Sequence, residues 1–217
     1  MGVQKVTFGA VLTGDIVNST KLLKGQEERL IKSLKAVLDR FSGKHLLEFY
    51  RGDSFQVYMD KPADALRMAL KCRALAIGIT GKEESEVVSD VRISIGIGEV
   101  NHPIRDLGLA KGEAFLLSGR RFDELQRSEQ RLVINSGNPV ADIGFEVMAD
   151  YLDSIYSKMT GKQAEVIIEL LSGTTQQQIA ITREKSKSTI SQLANAARWP
   201  EIERLLKQYE LLINRLL

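Results

Sequence analysis

The chain has 217 residues, of which 43% are hydrophobic and 27% charged, and its formal net charge is +2. These fractions are typical of soluble globular proteins and exclude a disordered or fibrous chain. No apolar run reaches the roughly 18 residues that cross a bilayer, and the N-terminal residues lack a signal-peptide pattern, so we expect a cytoplasmic protein without a membrane partner.

Two further features limit the possible functions. The chain has few cysteine and histidine residues, and its charges are balanced. One Cys and two His exclude a His/Cys zinc site, so any metal ion would have oxygen ligands. Residues 1–150 carry 21 basic and 21 acidic side chains, which leaves 9 basic and 7 acidic side chains for 151–217. Strong non-specific binding to nucleic acid usually shows as a basic domain, so any DNA contact here depends on a few local residues.

The first 137 residues predict alternating strands and helices. In chain order these are a strand at 6–17, a helix from Asn18–Thr20 to Gly43, a hairpin at 45–58, a helix from Pro62 to Gly81 before a charged loop at 82–86, a strand at 90–100, a helix from Gly112 and a strand at 131–135. The order β-α-β-β-α-β, followed by α-β, is typical of a ferredoxin-like α+β sheet with its helices on one face.

The rest of the chain predicts helices only. The predicted helices are a connecting helix at 140–157 and four shorter ones at 163–171, 174–182, 188–198 and 202–216. We therefore divide the chain into a sheet domain at 1–137, a connecting segment at 138–159 and a small all-α domain at 160–217. The last helix has an apolar stripe at near-heptad spacing, which packs either on neighbouring helices or in a dimer contact. Cys72 is predicted to be a core residue and Trp199-Pro200 a packed corner.

Two carboxylates are the strongest candidates for chemistry. Asp15 lies at a predicted strand end and Asp53 near a hairpin tip, so pairing of these segments brings both to one end of the sheet. Carboxylate oxygens suit Mg²⁺ or Mn²⁺ bound together with substrate phosphates. The residues alone equally allow Asp15 to cap a helix and Asp53 to form an Asx turn. The candidates for binding a phosphate through loop amides and a helix N-terminus are Ile16, Asn18, Ser19 and Thr20.

Four segments resemble, in order, those of class III nucleotidyl cyclase domains. They are 13–20 (TGDIVNST), 51–55 (RGDSF), 91–100 (VRISIGIGEV) and 112–120 (GEAFLLSGR). The resemblance implies a cyclase-type fold, metal binding by Asp15 and Asp53, and charge stabilisation by Arg120. Apolar residues replace the purine-selecting Lys, the base-reading Asp or Thr and the transition-state Asn of those cyclases, which implies weak selection of a purine. These replacements are Phe49, Leu109 and Leu116.

The C-terminal helices carry a second resemblance. Segments 173–180 (GTTQQQIA) and 186–190 (SKSTI) resemble the helix-turn-helix of bacterial response regulators and sigma-type DNA-binding domains. The turn reads Arg183-Glu-Lys185, where related motifs place a glycine between two apolar residues, and Glu184 adds a negative charge. The residues that this resemblance places on the recognition helix, with side chains suited to phosphates or base edges, are Lys187, Ser188, Thr189, Ser191, Gln192 and Asn195.

The whole layout is similar to the SatD family of bacterial proteins, which join a divergent cyclase-like domain to a C-terminal helix-turn-helix. This resemblance indicates the architecture more than the function. Together the observations lead us to expect a homodimeric regulator that binds duplex DNA, with a cyclase-like domain that takes a nucleotide together with Mg²⁺ or Mn²⁺. One alternative is an active nucleotidyl cyclase or related phosphoryl-transfer enzyme, in which Asp15 and Asp53 hold the metal and Arg120 stabilises the phosphates. A second alternative is a structural module for protein contacts.

Overall fold

The computed structural model describes residues 5–39, 46–50, 52–80 and 89–216. No helix within these ranges is both long and apolar enough to cross a bilayer. The sequence features that lie outside the described residues are the segment 1–4, the predicted helix end at Phe41 and Gly43, His45, Arg51, and Gly81 with the charged loop 82–86.

Five strands form one mixed sheet in the order β2-β3-β1-β4-β5. β1 lies at the centre and pairs antiparallel with β3 and β4, whereas β4 and β5 run parallel. The predicted α+β architecture is therefore confirmed. The strand bounds are β1 Lys5–Ile16, β2 Leu47–Tyr50, β3 Ser54–Met59, β4 Val91–His102 and β5 Leu132–Asn135.

Eight α-helices occupy the described residues. Four of them accompany the sheet, and the last four follow one another without a strand, as predicted. Their bounds are α1 Lys24–Asp39, α2 Ala65–Thr80, α3 Glu113–Leu125, α4 Pro139–Tyr156, α5 Gly161–Leu171, α6 Gln176–Thr182, α7 Lys187–Ala196 and α8 Trp199–Leu216.

The start of α1 differs from the prediction. Asn18 precedes a short 3-10 helix at Ser19–Lys21, has a left-handed backbone with φ 59°, and makes no side-chain capping hydrogen bond. The α-helix begins only at Lys24. A left-handed residue cannot continue into a right-handed helix, which is why the chain turns once more before α1 starts.

The prediction that all helices pack on one face of the sheet is wrong. Residues of β1 alternate between two hydrophobic cores: Ala10 and Leu12 join α1 and α2, whereas Val11 joins Phe115 of α3. Side chains of a strand point to opposite faces in turn, so these two cores lie on opposite sides of the sheet. The sheet is thus covered on both faces.

The C-terminal helices share one continuous hydrophobic core with the sheet. The Tyr209 hydroxyl of α8 donates a hydrogen bond to the Pro62 carbonyl at 2.9 Å. The predicted apolar stripe of α8 is turned into this core, with Ile202, Leu206 and Ile213 buried, so it packs within the chain. The domain bounds drawn from the sequence stay a prediction.

Helix α2 buries both polar and apolar side chains. Cys72 is fully buried, as predicted, and burial raises the pKa of its thiol to about 12. Arg73 is also fully buried, between Asp90 and Asp153 and over the ring of Tyr156. Burial disfavours its charge, but the two carboxylates, Asp90 above all, raise the pKa of Arg73 above its ordinary value. This cluster ties α2 to α4 and to the start of β4.

Candidate functional site

Asp15 lies at the end of β1, opposite Ser54 of β3 and Arg92 of β4. Its side chain is largely buried, with 8% of the residue exposed. Arg92 Nε donates a hydrogen bond to Oδ1 at 3.0 Å, and Gln126 Nε2 donates one to Oδ2 at 3.3 Å. Both carboxylate oxygens are therefore engaged, one of them in an ion pair.

Asp53 lies in the turn before β3, next to the residue that pairs with Asp15. Its carboxylate accepts hydrogen bonds from Ser19 Oγ at 2.7 Å and from Ser54 Oγ at 3.4 Å. The Ile16 amide donates to the Asp53 carbonyl at 3.2 Å. The structure thus places the two acids at the same end of the sheet, but their carboxylates share no hydrogen-bond partner among the described residues.

The loop predicted to bind phosphate is partly used by the fold itself. The amides of Ile16 and Val17 donate to the carbonyls of Asp53 and Asp90. Ser19 is buried and engaged with Asp53, whereas Asn18 and Thr20 are exposed. The N-terminus of α1 lies beyond the loop, at Lys24. The loop therefore keeps fewer groups for an anion than the sequence predicted.

The sheet end offers the carboxylates of Asp15 and Asp53 as donors for a divalent cation. Within the described ranges, no three His, Cys, Asp or Glu side chains form a group suited to a metal ion. Arg92 already forms an ion pair with Asp15, and the Ser19 hydroxyl donates a hydrogen bond to Asp53. Two carboxylates engaged in this way do not complete a site for Mg²⁺ or Mn²⁺ without further oxygen ligands such as substrate phosphates. The metal site at Asp15 and Asp53 stays a prediction.

The structure does not bring Arg120 to the two acids. Arg120 lies on the exposed side of α3 and makes no hydrogen bond or ion pair with any residue that the structure describes. The residues that do reach Asp15, Arg92 and Gln126, were not singled out from the sequence. Arg92 was visible only as one residue of a predicted strand, because its position opposite Asp15 depends on strand register.

A cavity of about 670 Å³ opens beside α3. Tyr50, Gln56, Lys111, Phe115 and Leu116 belong to its lining. Burial, together with a hydrogen bond from the Tyr50 hydroxyl to the Glu48 carboxylate, raises the pKa of Tyr50, so its phenol stays protonated.

Of the three apolar replacements noted in the sequence, only Leu116 lines this cavity. Leu109 is 79% exposed, and Phe49 instead packs against Phe55 and under Lys35. The side chains at these positions therefore do not converge, and they do not fill the cavity.

The turn between α6 and α7 keeps a regular geometry without glycine. Glu184 adopts the left-handed conformation, with φ 51°. The Lys185 amide donates to the Ala180 carbonyl at 3.0 Å, and the Glu184 amide donates to the Ile181 carbonyl at 3.2 Å. These two bonds form a Schellman motif, the usual end of a helix before a glycine. Ser186 then caps α7 by accepting a hydrogen bond from the Thr189 amide.

Replacing Glu184 with glycine should raise the free energy of unfolding by about 1 kcal/mol. A residue with a Cβ pays roughly that much for the left-handed conformation, whereas glycine does not. Urea unfolding measures the change. Lys185→Gly is the matched control, since Lys185 has no positive φ, and it should not stabilise the protein. Lower stability of Glu184→Gly than of the parent would contradict the left-handed turn.

The six residues predicted to contact DNA do not occupy equal positions on α7. Lys187, Ser188, Thr189, Gln192 and Asn195 are exposed, and Ser191 is half-buried. The Thr189 hydroxyl lies 2.8 Å from Ser186 Oγ, and Thr189 lines a second cavity between α5 and α7. Ser188, Thr189, Gln192 and Asn195 therefore share the exposed side of α7, and Lys187 lies at its start.

Comparisons with known proteins add only a weak similarity. The sequence matches no protein-family model, and no curated protein is significantly similar to it. The structure is similar to two solved structures of a bacterial light-regulated adenylyl cyclase, each with a TM-score of 0.42 and with sequence identities of 14% and 13%. Each match covers 62% of this chain and 44% of the other, so the chain spans less than half the length of those structures. This similarity is too low to transfer an activity.

Proposed function

We propose that this chain is a DNA-binding regulator in which α5–α8 form a helix-turn-helix module and α7 is the recognition helix. The observation that carries the proposal is the two-sided character of α7. Ile190 and Ala194 are buried on its inner side, and mostly polar side chains are exposed on the other. The exposed polar side chains are Ser188, Thr189, Gln192 and Asn195, together with Lys187 at the start of the helix.

The chemistry of this face suits duplex DNA. Amide side chains such as Gln192 and Asn195 pair with adenine edges in the major groove, and serine hydroxyls contact either bases or phosphates. Helix α7 contains no acidic residue. A face with amides and hydroxyls and without carboxylates is therefore compatible with contact to the phosphates and base edges of DNA.

The start of α7 adds a place for a phosphate. Lys185 and Lys187 flank the first turn, where the helix dipole also favours negative charge. Arg183 contributes less, because it is engaged by Glu165 and Glu169 of α5. Glu184 opposes an anion from the same turn. The positive charge available to a phosphate at this turn therefore comes from Lys185 and Lys187.

In this proposal the sheet domain is a divergent cyclase-type domain that binds a nucleotide and joins a second copy in a homodimer. Its combination with a C-terminal helix-turn-helix is the layout of the SatD family. Support comes from the four sequence segments, which occur in order, and from the central position of β1 in the sheet. The cavity beside α3 offers Tyr50 and Phe115 as stacking surfaces and Lys111 as a cation for such a ligand.

Lys187→Ala should weaken binding to a mixed-sequence duplex and reduce its dependence on salt. Removal of one phosphate contact lowers the slope of log K against log salt by about 0.9. Fluorescence anisotropy titrations over a series of salt concentrations measure both quantities. Repeating them with saturating ATP or GTP shows whether a nucleotide changes the affinity for DNA.

The control is Lys32→Ala, which removes an equally exposed lysine from α1, in the sheet domain. Each variant loses one positive charge, so a difference in duplex binding between them reflects a local contact of Lys187. Equal effects of the two substitutions, or no duplex binding by the parent protein at low salt, would remove α7 from the role of recognition helix.

A further inference from the structure

Helices α4 and α8 together expose an apolar surface. Ten large hydrophobic side chains in the described ranges are exposed, and four of them belong to these two helices. Their exposed fractions are 81% for Val140, 66% for Ile143, 66% for Val147 and 55% for Leu211. An exposed cluster of this kind marks an interaction site more often than isolated apolar residues do. We call these four residues the α4–α8 surface.

The two helices run antiparallel beside each other. Gly144 of α4 faces Leu212 of α8, with 3.9 Å between the Leu212 Cδ1 and the position of a Cβ at residue 144. The next residue of α4, Phe145, lies 5.7 Å from Tyr209, measured between ring centroids, and Tyr209 precedes Leu212 by about one turn of α8. The exposed stripe of α4 therefore lies next to the exposed side of α8, and no side chain at Gly144 separates them.

The spacing within α4 is that of a helix-packing seam. Val140, Ile143 and Val147 follow one another at i, i+3 and i+7, which are the a and d positions of a heptad. Two of the three are valine and one is isoleucine, side chains with restricted rotamers that lose little entropy in a contact. The stripe is thus suited to packing against another helix.

The charges beside the stripe identify the partner. On α4 the exposed residues Glu146 and Asp150 form an acidic edge. On α8 the exposed Glu203 is paired with Lys207. This leaves Arg204 and Arg215, about three turns apart on the side of Leu211, as a basic edge. A two-fold axis parallel to the helices places the acidic edge of one copy against the basic edge of the other. The same rotation sets α4 against the partner's α8, so the surface complements itself.

We infer that the α4–α8 surface is the contact between two copies of this chain, in which the two helix pairs form a four-helix arrangement. The inference rests on the homodimer of the proposed function, but it places the contact on α4 and α8 instead of on the sheet domain. Its test measures mass in the absence of DNA, so it can fail without failure of DNA binding, and the reverse is equally true.

The first test is Ile143→Asp, measured by sedimentation equilibrium over a range of protein concentrations. We expect the dissociation constant of the dimer to rise by about 100-fold or more, because the charge enters the centre of the contact twice in a symmetric dimer. Circular dichroism checks that helix content is unchanged. Leu23→Asp, at a leucine before α1 that is 63% exposed, is the matched control and should leave the dimer intact.

The second test exchanges charges. Glu146→Lys and Arg204→Glu should each weaken the dimer by about 10-fold, and the double variant should restore it. A parent protein that is monomeric at every concentration overturns the inference. A dimer whose dissociation constant is unchanged by Ile143→Asp overturns it as well, since the contact would then lie elsewhere on the chain.

Discussion

Replacing Arg73 with alanine will lower the free energy of unfolding by about 3–5 kcal/mol, because it leaves two carboxylates without their cation in the protein interior. Arg73 is fully buried and donates to Asp90 through Nη2 at 2.8 Å and through Nε at 3.1 Å. Another of its nitrogens bonds Asp153 of α4. Urea denaturation followed by circular dichroism measures the loss.

The pH dependence of this variant gives a second readout. Burial raises the pKa of Asp153 above the usual 3.8 even with Arg73 present, and loss of that cation raises it further. A carboxyl whose pKa is higher in the folded state destabilises the fold while it is ionised, and protonation relieves the cost. The difference in the free energy of unfolding between the parent and Arg73→Ala should therefore shrink as the pH falls toward about 4.

Arg67→Ala is the control for the loss of an arginine from the same helix. Arg67 pairs with Glu210 at 3.2 Å, but the side chains are 32% and 40% exposed, so we expect a loss below about 1 kcal/mol. Losses of similar size in Arg67→Ala and Arg73→Ala would contradict a buried, charge-balancing role for Arg73.

Local periodicity predicted nearly every strand and helix. The strand expected at 90–100 is found at Val91–His102, and the helix expected at 163–171 is found at Gly161–Leu171. The face on which α3 packs was not predictable in the same way. An amphipathic pattern shows which side of a helix is buried, but it does not show which face of a sheet that side covers.

The candidate site shows the same limit. The strand pairing predicted from the sequence placed Asp15 and Asp53 at one end of the sheet. The observed register of β1 and β3 agrees with this. Arg92 is 77 residues from Asp15 in sequence, and nothing local shows that the two are opposite each other. The turn at Glu184 differs for another reason: related motifs place a glycine in this turn, but here two backbone hydrogen bonds, to the carbonyls of Ala180 and Ile181, hold it without one.

The other large effect is expected at Gly96 of β4, where α3 lies against the strand backbone. A Cβ at residue 96 would lie 2.2 Å from the Ala114 carbonyl oxygen and 2.4 Å from the Ser118 amide nitrogen. Both are backbone atoms of α3, so only a shift of the helix could make room. Gly96→Ala should therefore cost about 3 kcal/mol of folding free energy, measured by urea unfolding.

The displacement has a local signature, because Ser118 anchors α3 to the sheet. Its hydroxyl donates to Thr13 Oγ1 at 2.7 Å and lies 3.0 Å from the Ser94 carbonyl oxygen. A shift of α3 breaks these bonds and moves Phe115, which lines the cavity. Gly119→Ala, on α3 itself, is the control: no atom lies within 4 Å of its Cβ position, so the helix should gain about 0.5–1 kcal/mol. Equal stability of Gly96→Ala and the parent would show that α3 does not pack this closely on β4.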